Sequence, residues 1–231
     1  MLDLAIDPAV TDKAARSMYN YFDQSLRQKE SAPGEGADML ARLANEQVLP
    51  GHITHEEAVR MVVLLYVAGH ETTANQIGLG TLSLLQDPDQ RRAIENNPAQ
   101  VRTAVEEMLR FHTPVHLNSC RVATRDVEIA GVTVKAGEGV YPLLIAANRD
   151  PATFACPDAF DVGRTNADRH VAFSYGIHQC LGQPLARLEL QVMFSKLFAR
   201  FPNLRLAVPF EELQFKKDMY VYGLEALPVS W

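Results

Sequence analysis

The sequence predicts a mainly α fold with small β-sheets, an α+β protein in which the helices come first. Helix-period patterns fill most of residues 10–111 and return after Cys180. Between them, Val127–Val134 (VEIAGVTV) alternates like a hairpin. A long stretch over 151–172, rich in Pro, Asp and Arg, has neither period.

In chain order, residues 10–30 form an amphipathic helix, stopped by the breaker cluster SAPGEG. A short helix follows over Ala37–Asn45, and both read as surface helices. Thr54 with Glu57 is a capping box. It opens a helix that runs to Gln86, where Asp87-Pro88 stops it, about 50 Å at 1.5 Å per residue. The middle of this helix, VVLLYVAG, is apolar all round, as expected of a helix buried inside a domain. Helices over Asp89–Asn96 and Ala99–Phe111 come next. GVYPLLIAAN then reads as a buried strand leading into a turn. LGQPLARLELQVMFSKLFARF is a further helix, and the last thirty residues alternate short strands and turns. There is no internal repeat.

With 231 residues, 47% hydrophobic and 22% charged, the chain can bury a core as one domain or two closely packed subdomains. A net charge of −6 without a basic run argues against nucleic acid as a partner. The opening MLDLAIDPAV lacks the basic start and apolar core of a signal peptide. The longest uncharged run, Met61–His70, is too short to span a bilayer, so a cytoplasmic protein off the membrane is expected. Three cysteines without CxxC spacing suggest neither a disulfide framework nor a zinc site.

Local constellations narrow the chemistry. In AGHETT, Ala68–Thr73, Gly69 weakens the long helix, and Glu71 and Thr72 put polar groups where the pattern wants apolar ones. One reading is a pocket beside a helix bulge, with Thr72 and Glu71 handling protons. The other is a solvent-facing Glu71 and a close helix crossing at Gly69. Glu107 and Arg110 form an E-x-x-R pair on one helix face. Arg164 ends FDVGR in the irregular stretch. In FSYGIHQCLG, Gly176 and Gly182 flank a tight loop, with Phe173 placed to pack beneath it. Cys180 lies just before a helix start, where the dipole favours a thiolate and hence metal ligation.

Phe173, Gly176, His178, Cys180 and Gly182 spell F-x-x-G-x-H-x-C-x-G, preceded in order by A-G-x-E-T-T and E-x-x-R. The chain thereby resembles a bacterial soluble cytochrome P450, a haem-thiolate monooxygenase. The resemblance implies haem b, with Cys180 as the axial iron ligand and O2 as co-substrate. It places His178 and Arg121 at the haem propionates, and Phe173, Gly176 and Gly182 in the haem-binding loop. Glu107, Arg110 and Arg164 match the family's structural triad. Thr72 and Glu71 match the pair that delivers protons for O–O cleavage, and Ala68 and Gly69 would leave room for dioxygen. Ser174 departs from the family's more usual glycine.

The implied reaction inserts one oxygen atom into a lipophilic small molecule, with electrons from a ferredoxin-type donor. Family members are nearly twice as long, and this chain resembles their C-terminal half. Without the other half, the apolar central helix is expected to lack cover, and the chain to self-associate or to need that half. The alternative reading is a non-catalytic, family-derived binding partner of another enzyme.

Overall fold

Asp7 and Pro8 start the first helix, α1, Pro8–Ser31, the aspartate accepting the Ala9 N–H at 2.8 Å and the proline filling a position that needs no N–H. The computed structural model describes residues 7–34, 36, 38–117, 120–216 and 219–231. Its chain divides into two units, residues 1–71 and 72–231. The opening segment, expected not to be a signal peptide, therefore lies largely outside the described residues, as does the expected helix start at Ala37. Among the described residues no helix is long and apolar enough to cross a membrane.

In the first unit, α2, Met39–Leu43, is capped by Asp38, which accepts the Ala41 N–H at 2.9 Å. It widens into a π turn over Ala44–Val48, beyond the expected end. α3, His55–Gln86, starts at the capping box: Glu57 accepts the Thr54 N–H and O–H, each at 2.8 Å, and the Glu57 N–H returns to the threonine oxygen at 3.2 Å. Leu26, Ala44, Ala58 and Val59 form this unit's core, with Tyr19 and Phe22 packed against it. His55 adds a polar tie, its two ring nitrogens each 2.8 Å from a carboxylate of α1, Asp23 and Glu30. Burial opposes a charged ring, but the two carboxylates outweigh it and raise the His55 pKa.

The bulge read into α3 is not there: the helix runs without one through AGHETT. The VVLLYVAG segment is apolar all round but not buried all round, in keeping with the cover it was expected to lack in this chain: Val62 is buried, whereas Leu64 is 66% and Tyr66 51% exposed. One row of side chains, Ala58, Val59 and Val62, meets cover at helical spacing, and the opposite face is left to solvent.

In the second unit the later turns of α3 bury Leu79, Leu82 and Leu84. Gly80 is the crossing glycine: a Cβ there would meet the Phe194 ring at 2.8 Å and the Met108 sulfur at 2.9 Å. At Gly69, by contrast, a Cβ would meet nothing within 4 Å, so no helix crossing explains that residue. α4, Pro88–Asn96, is capped by Asp87, and a 3₁₀ turn over Pro98–Gln100 leads into α5, Val101–His112. α5 is buried from Ala104 to Arg110 without interruption. Its central position forces even its charged residues inside.

The strands are short and antiparallel, as expected. β1 (Arg121–Val122) pairs with β4 (Gly139–Val140), and β2 (Val127–Ile129) pairs with β3 (Val132–Val134). Ala130 at φ 48° and Gly131 at φ 80° give the β2–β3 hairpin a two-residue turn with both central residues left-handed, matching the strand twist. The buried strand expected over GVYPLLIAAN is corrected. Only Gly139 and Val140 form a strand, Leu143 makes an isolated bridge to Leu117, Pro142 removes a donor, Tyr141 and Leu143 are 61% and 51% exposed, and Leu144–Ala147 is a single helical turn, α6. α7, Gln183–Arg200, buries Leu190, Phe194 and Phe198 against α5 and α3. β5 (Arg205–Leu206) closes on β6 (Val229–Ser230).

Candidate functional site

Between the irregular stretch and α7, residues 173–182 fold into a loop held by its own backbone. The Cys180 N–H donates to the Phe173 carbonyl at 3.0 Å, Gln179 to Gly176 at 3.0 Å, and Ser174 to Val171 at 2.8 Å. Two left-handed residues make the turns, Gly176 at φ 88° and Ser174 at φ 63°. The serine thus adopts a conformation that costs an L-residue about 1–2 kcal/mol. Its departure from glycine changes strain as well as flexibility.

The loop carries an exposed thiol among exposed apolar side chains: Ile177 is 97%, Tyr175 83% and Leu181 81% accessible. His178 is exposed beside them. A Cβ at Gly176 would meet nothing within 4 Å, and at Gly182 only the Cys180 sulfur, at 3.8 Å. Among the described residues no cluster of three or more His, Cys, Asp or Glu could hold a metal ion. A lone thiol suits a metal that arrives with its other ligands in place, and a flat apolar macrocycle would cover the uncovered side chains. The residues present therefore fit a haem.

Behind the loop, α5 supplies the deepest ionic group of the molecule. Arg110 and Glu107 are both fully buried, bonded at 2.7 and 2.8 Å through Nε and Nη2. Arg164, 57 positions later, donates from Nε to the same carboxylate at 3.1 and 3.2 Å. The remaining Arg110 donors reach the carbonyls of Asn148, Pro157 and Ala159 at 2.9–3.1 Å. Arg164 binds those of Ala155, Cys156 and Ala159 at 2.7–3.2 Å. The ionic group thus organises the irregular stretch, whose own backbone offers few partners.

A second carboxylate on α5 escaped the sequence reading. Glu106 accepts from Arg187 at 2.8 and 3.1 Å and from His170 at 3.0 Å. Burial alone would raise its pKa, but the hydrogen bonds from His170 and Arg187, with the charge of Arg187, hold it down at about 2. Its partners lie 64 and 81 positions away, so no local spacing signals them.

Ala68, Gly69 and Glu71 lie on α3 in the first unit, and Thr72 opens the second. Glu71 and Thr72 are half-buried. Arg121 is exposed on β1, opposite Val140. Cys120 and Cys156 are exposed without a glycine-flanked loop around them.

Residues 9–207 match the family model described as Cytochrome P450. The chain belongs to the cytochrome P450 family. Cytochrome P450-SU2 of Streptomyces griseolus is 46% identical over 231 residues, which is all of this chain and 56% of that protein. The crystal structure of GfsF superposes with a TM-score of 0.90 at 42% identity, covering 99% of this chain and 58% of that one. The hydroxylase MycCI of Micromonospora griseorubida, solved bound to mycinamicin VIII, gives 0.87 at 41% identity, with coverage of 95% and 55%. This P450 chain spans about half the length of the relatives it matches.

Proposed function

We propose that this chain is the thiolate-bearing part of a haem-thiolate monooxygenase that inserts one atom of O2 into a lipophilic small molecule, with Cys180 as the axial iron ligand. The observation that carries this reading is the exposed Cys180 thiol in a backbone-braced loop rimmed by uncovered apolar side chains. When bound, haem b supplies the redox-active iron at which O2 is reduced and cleaved, with electron density pushed toward it by a thiolate.

The chain's own residues then have distinct tasks. The Phe173 carbonyl fixes the Cys180 amide and so the main chain that carries the thiol. His178 and Arg121 would hold the haem propionates, the arginine as a fixed cation. The Thr72 hydroxyl and the Glu71 carboxylate would hold and pass protons during O–O cleavage, a role set by placement more than by pKa. Ala68 and Gly69 leave space for O2, consistent with the open surroundings of a Gly69 Cβ. Glu107, Arg110 and Arg164 would hold the irregular stretch that feeds the loop. Electrons would come from a ferredoxin-type donor. A relative bound to mycinamicin VIII and another named pentalenic acid synthase support a lipophilic natural product as the substrate class.

The test replaces each cysteine in turn, in the chain alone and mixed with the N-terminal half of a relative. Haem is added and the reduced, carbon-monoxide-bound spectrum recorded. Cys180→Ala should lose the red-shifted Soret band of thiolate ligation, while Cys120→Ala and Cys156→Ala keep it. A thiolate band that survives Cys180→Ala, or that no unmodified preparation shows, overturns the assignment.

A further inference from the structure

We propose that Glu106 is a positioning residue for the Cys180 loop, gripping its upstream foot through His170 and its downstream foot through Arg187. The clamp is formed by the chain's own side chains; its consequence for ligation rests on the reading of Cys180 given above.

The upstream grip is specific about hydrogens. His170 Nδ1 accepts the Ala172 N–H at 3.0 Å, so its Nε2 carries the hydrogen donated to Glu106 Oε2, also at 3.0 Å. One tautomer of a neutral ring thus joins the carboxylate to the main chain next to Phe173. The imidazole side chain is 1% exposed and has no alternative partner in water.

The downstream grip uses one arginine in three directions. Arg187 sends Nε and Nη2 to the two oxygens of Glu106, and Nη1 to the Gln183 side chain at 2.7 Å, at the first residue of α7. Its guanidinium also lies 4.7 Å from the centre of the Phe173 ring. Phe173 is the residue whose carbonyl receives the Cys180 N–H. Both feet of the loop therefore converge on a single carboxylate. That carboxylate sits next to Glu107, and consecutive helical residues do not face each other, so the two glutamates serve separate arginines. One rigid helix holds the irregular stretch with Glu107 and the loop with Glu106.

Glu106→Gln would present amide hydrogens to partners that are all donors. Arg187→Lys keeps the charge but cannot fork to both oxygens and reach Gln183 as well. His170→Gln offers one donor and one acceptor and serves as the conservative rescue.

Hydrogen exchange on the 231-residue chain without haem reads the clamp directly at the Ser174, Gln179 and Cys180 amides. Glu106→Gln and Arg187→Lys should each speed their exchange about tenfold, while α4 amides are unchanged and His170→Gln stays within about twofold. After haem addition, the same two variants should lose part of the thiolate band at equal haem content. Unchanged loop exchange, or acceleration shared equally by α4, overturns the proposal. Should Glu106→Gln fail to fold, Arg187→Lys decides. A missing thiolate band in the unmodified protein would sink the haem reading and leave the exchange result to judge the clamp.

Discussion

Arg110 and Ile177 mark two extremes of the second unit. The cation is fully buried and the aliphatic side chain is 97% exposed, the reverse of ordinary preference. Every N–H of Arg110 has an acceptor within the chain, so its burial is complete without outside help. Ile177, Tyr175 and Leu181 sit in a loop braced by the backbone bonds of Ser174, Gln179 and Cys180, with their own apolar surface uncovered. The difference separates what this chain stabilises by itself from what it offers to something flat and apolar.

The strongest way to break the comparison is to remove the acid at its buried pole. Glu107→Gln leaves Arg110 and Arg164 without a counter-charge, and urea unfolding should show a loss of about 3–5 kcal/mol. Acid should act next, through the neighbouring carboxylate. The Glu106 pKa is depressed from 4.5 to about 2, so its contribution is present above pH 4.5 and lost as pH falls toward 2. The shift is worth about 3 kcal/mol, seen as a slope of stability against pH that flattens in Glu106→Gln. Burial, followed by the charge of Arg149, holds His112 down at about 3, and this adds its own loss as pH falls below 6.5 in both proteins.

Packing around α5 gives a smaller effect. Gly80→Ala must displace the Phe194 ring or the Met108 sulfur, and thermal or urea unfolding should show a cost of about 1–3 kcal/mol. The exposed pole sharpens the contrast by doing least. Ile177→Ser and Leu181→Ser should change the stability of the haem-free chain by no more than about 0.5 kcal/mol. Both should weaken haem uptake in titration, and a large loss of folding stability would show that these side chains already pack within the chain.

The sequence was most legible where chemistry is local. The Thr54–Glu57 capping box and the Asp87-Pro88 stop bound α3 where the helix begins and ends. Glu107 and Arg110 share a helix face at a spacing the motif displays. Arg164 was reached only through the family resemblance, because no period connects it to α5. Glu106 was missed for the same reason: its partners are brought in by tertiary folding. Apolar composition reports a need for cover, not its presence: VVLLYVAG signalled a helix that lacks cover in this chain, whereas GVYPLLIAAN misled as a buried strand. In the second segment Pro142 was the available warning against a continuous strand.

The long reach of the two α5 carboxylates also bears on how the fold is gained and lost. Beyond the local Glu107–Arg110 pair, Glu106 and Glu107 meet partners 54 to 81 positions downstream, past the hairpin and within or beyond the irregular stretch. Closing such separations is entropically slow, so these bonds belong to the late part of the folding reaction. Interactions absent from the transition state act mainly on the unfolding rate. The pair therefore works as a kinetic latch: substitutions there should leave refolding nearly unchanged while shortening the lifetime of the native state.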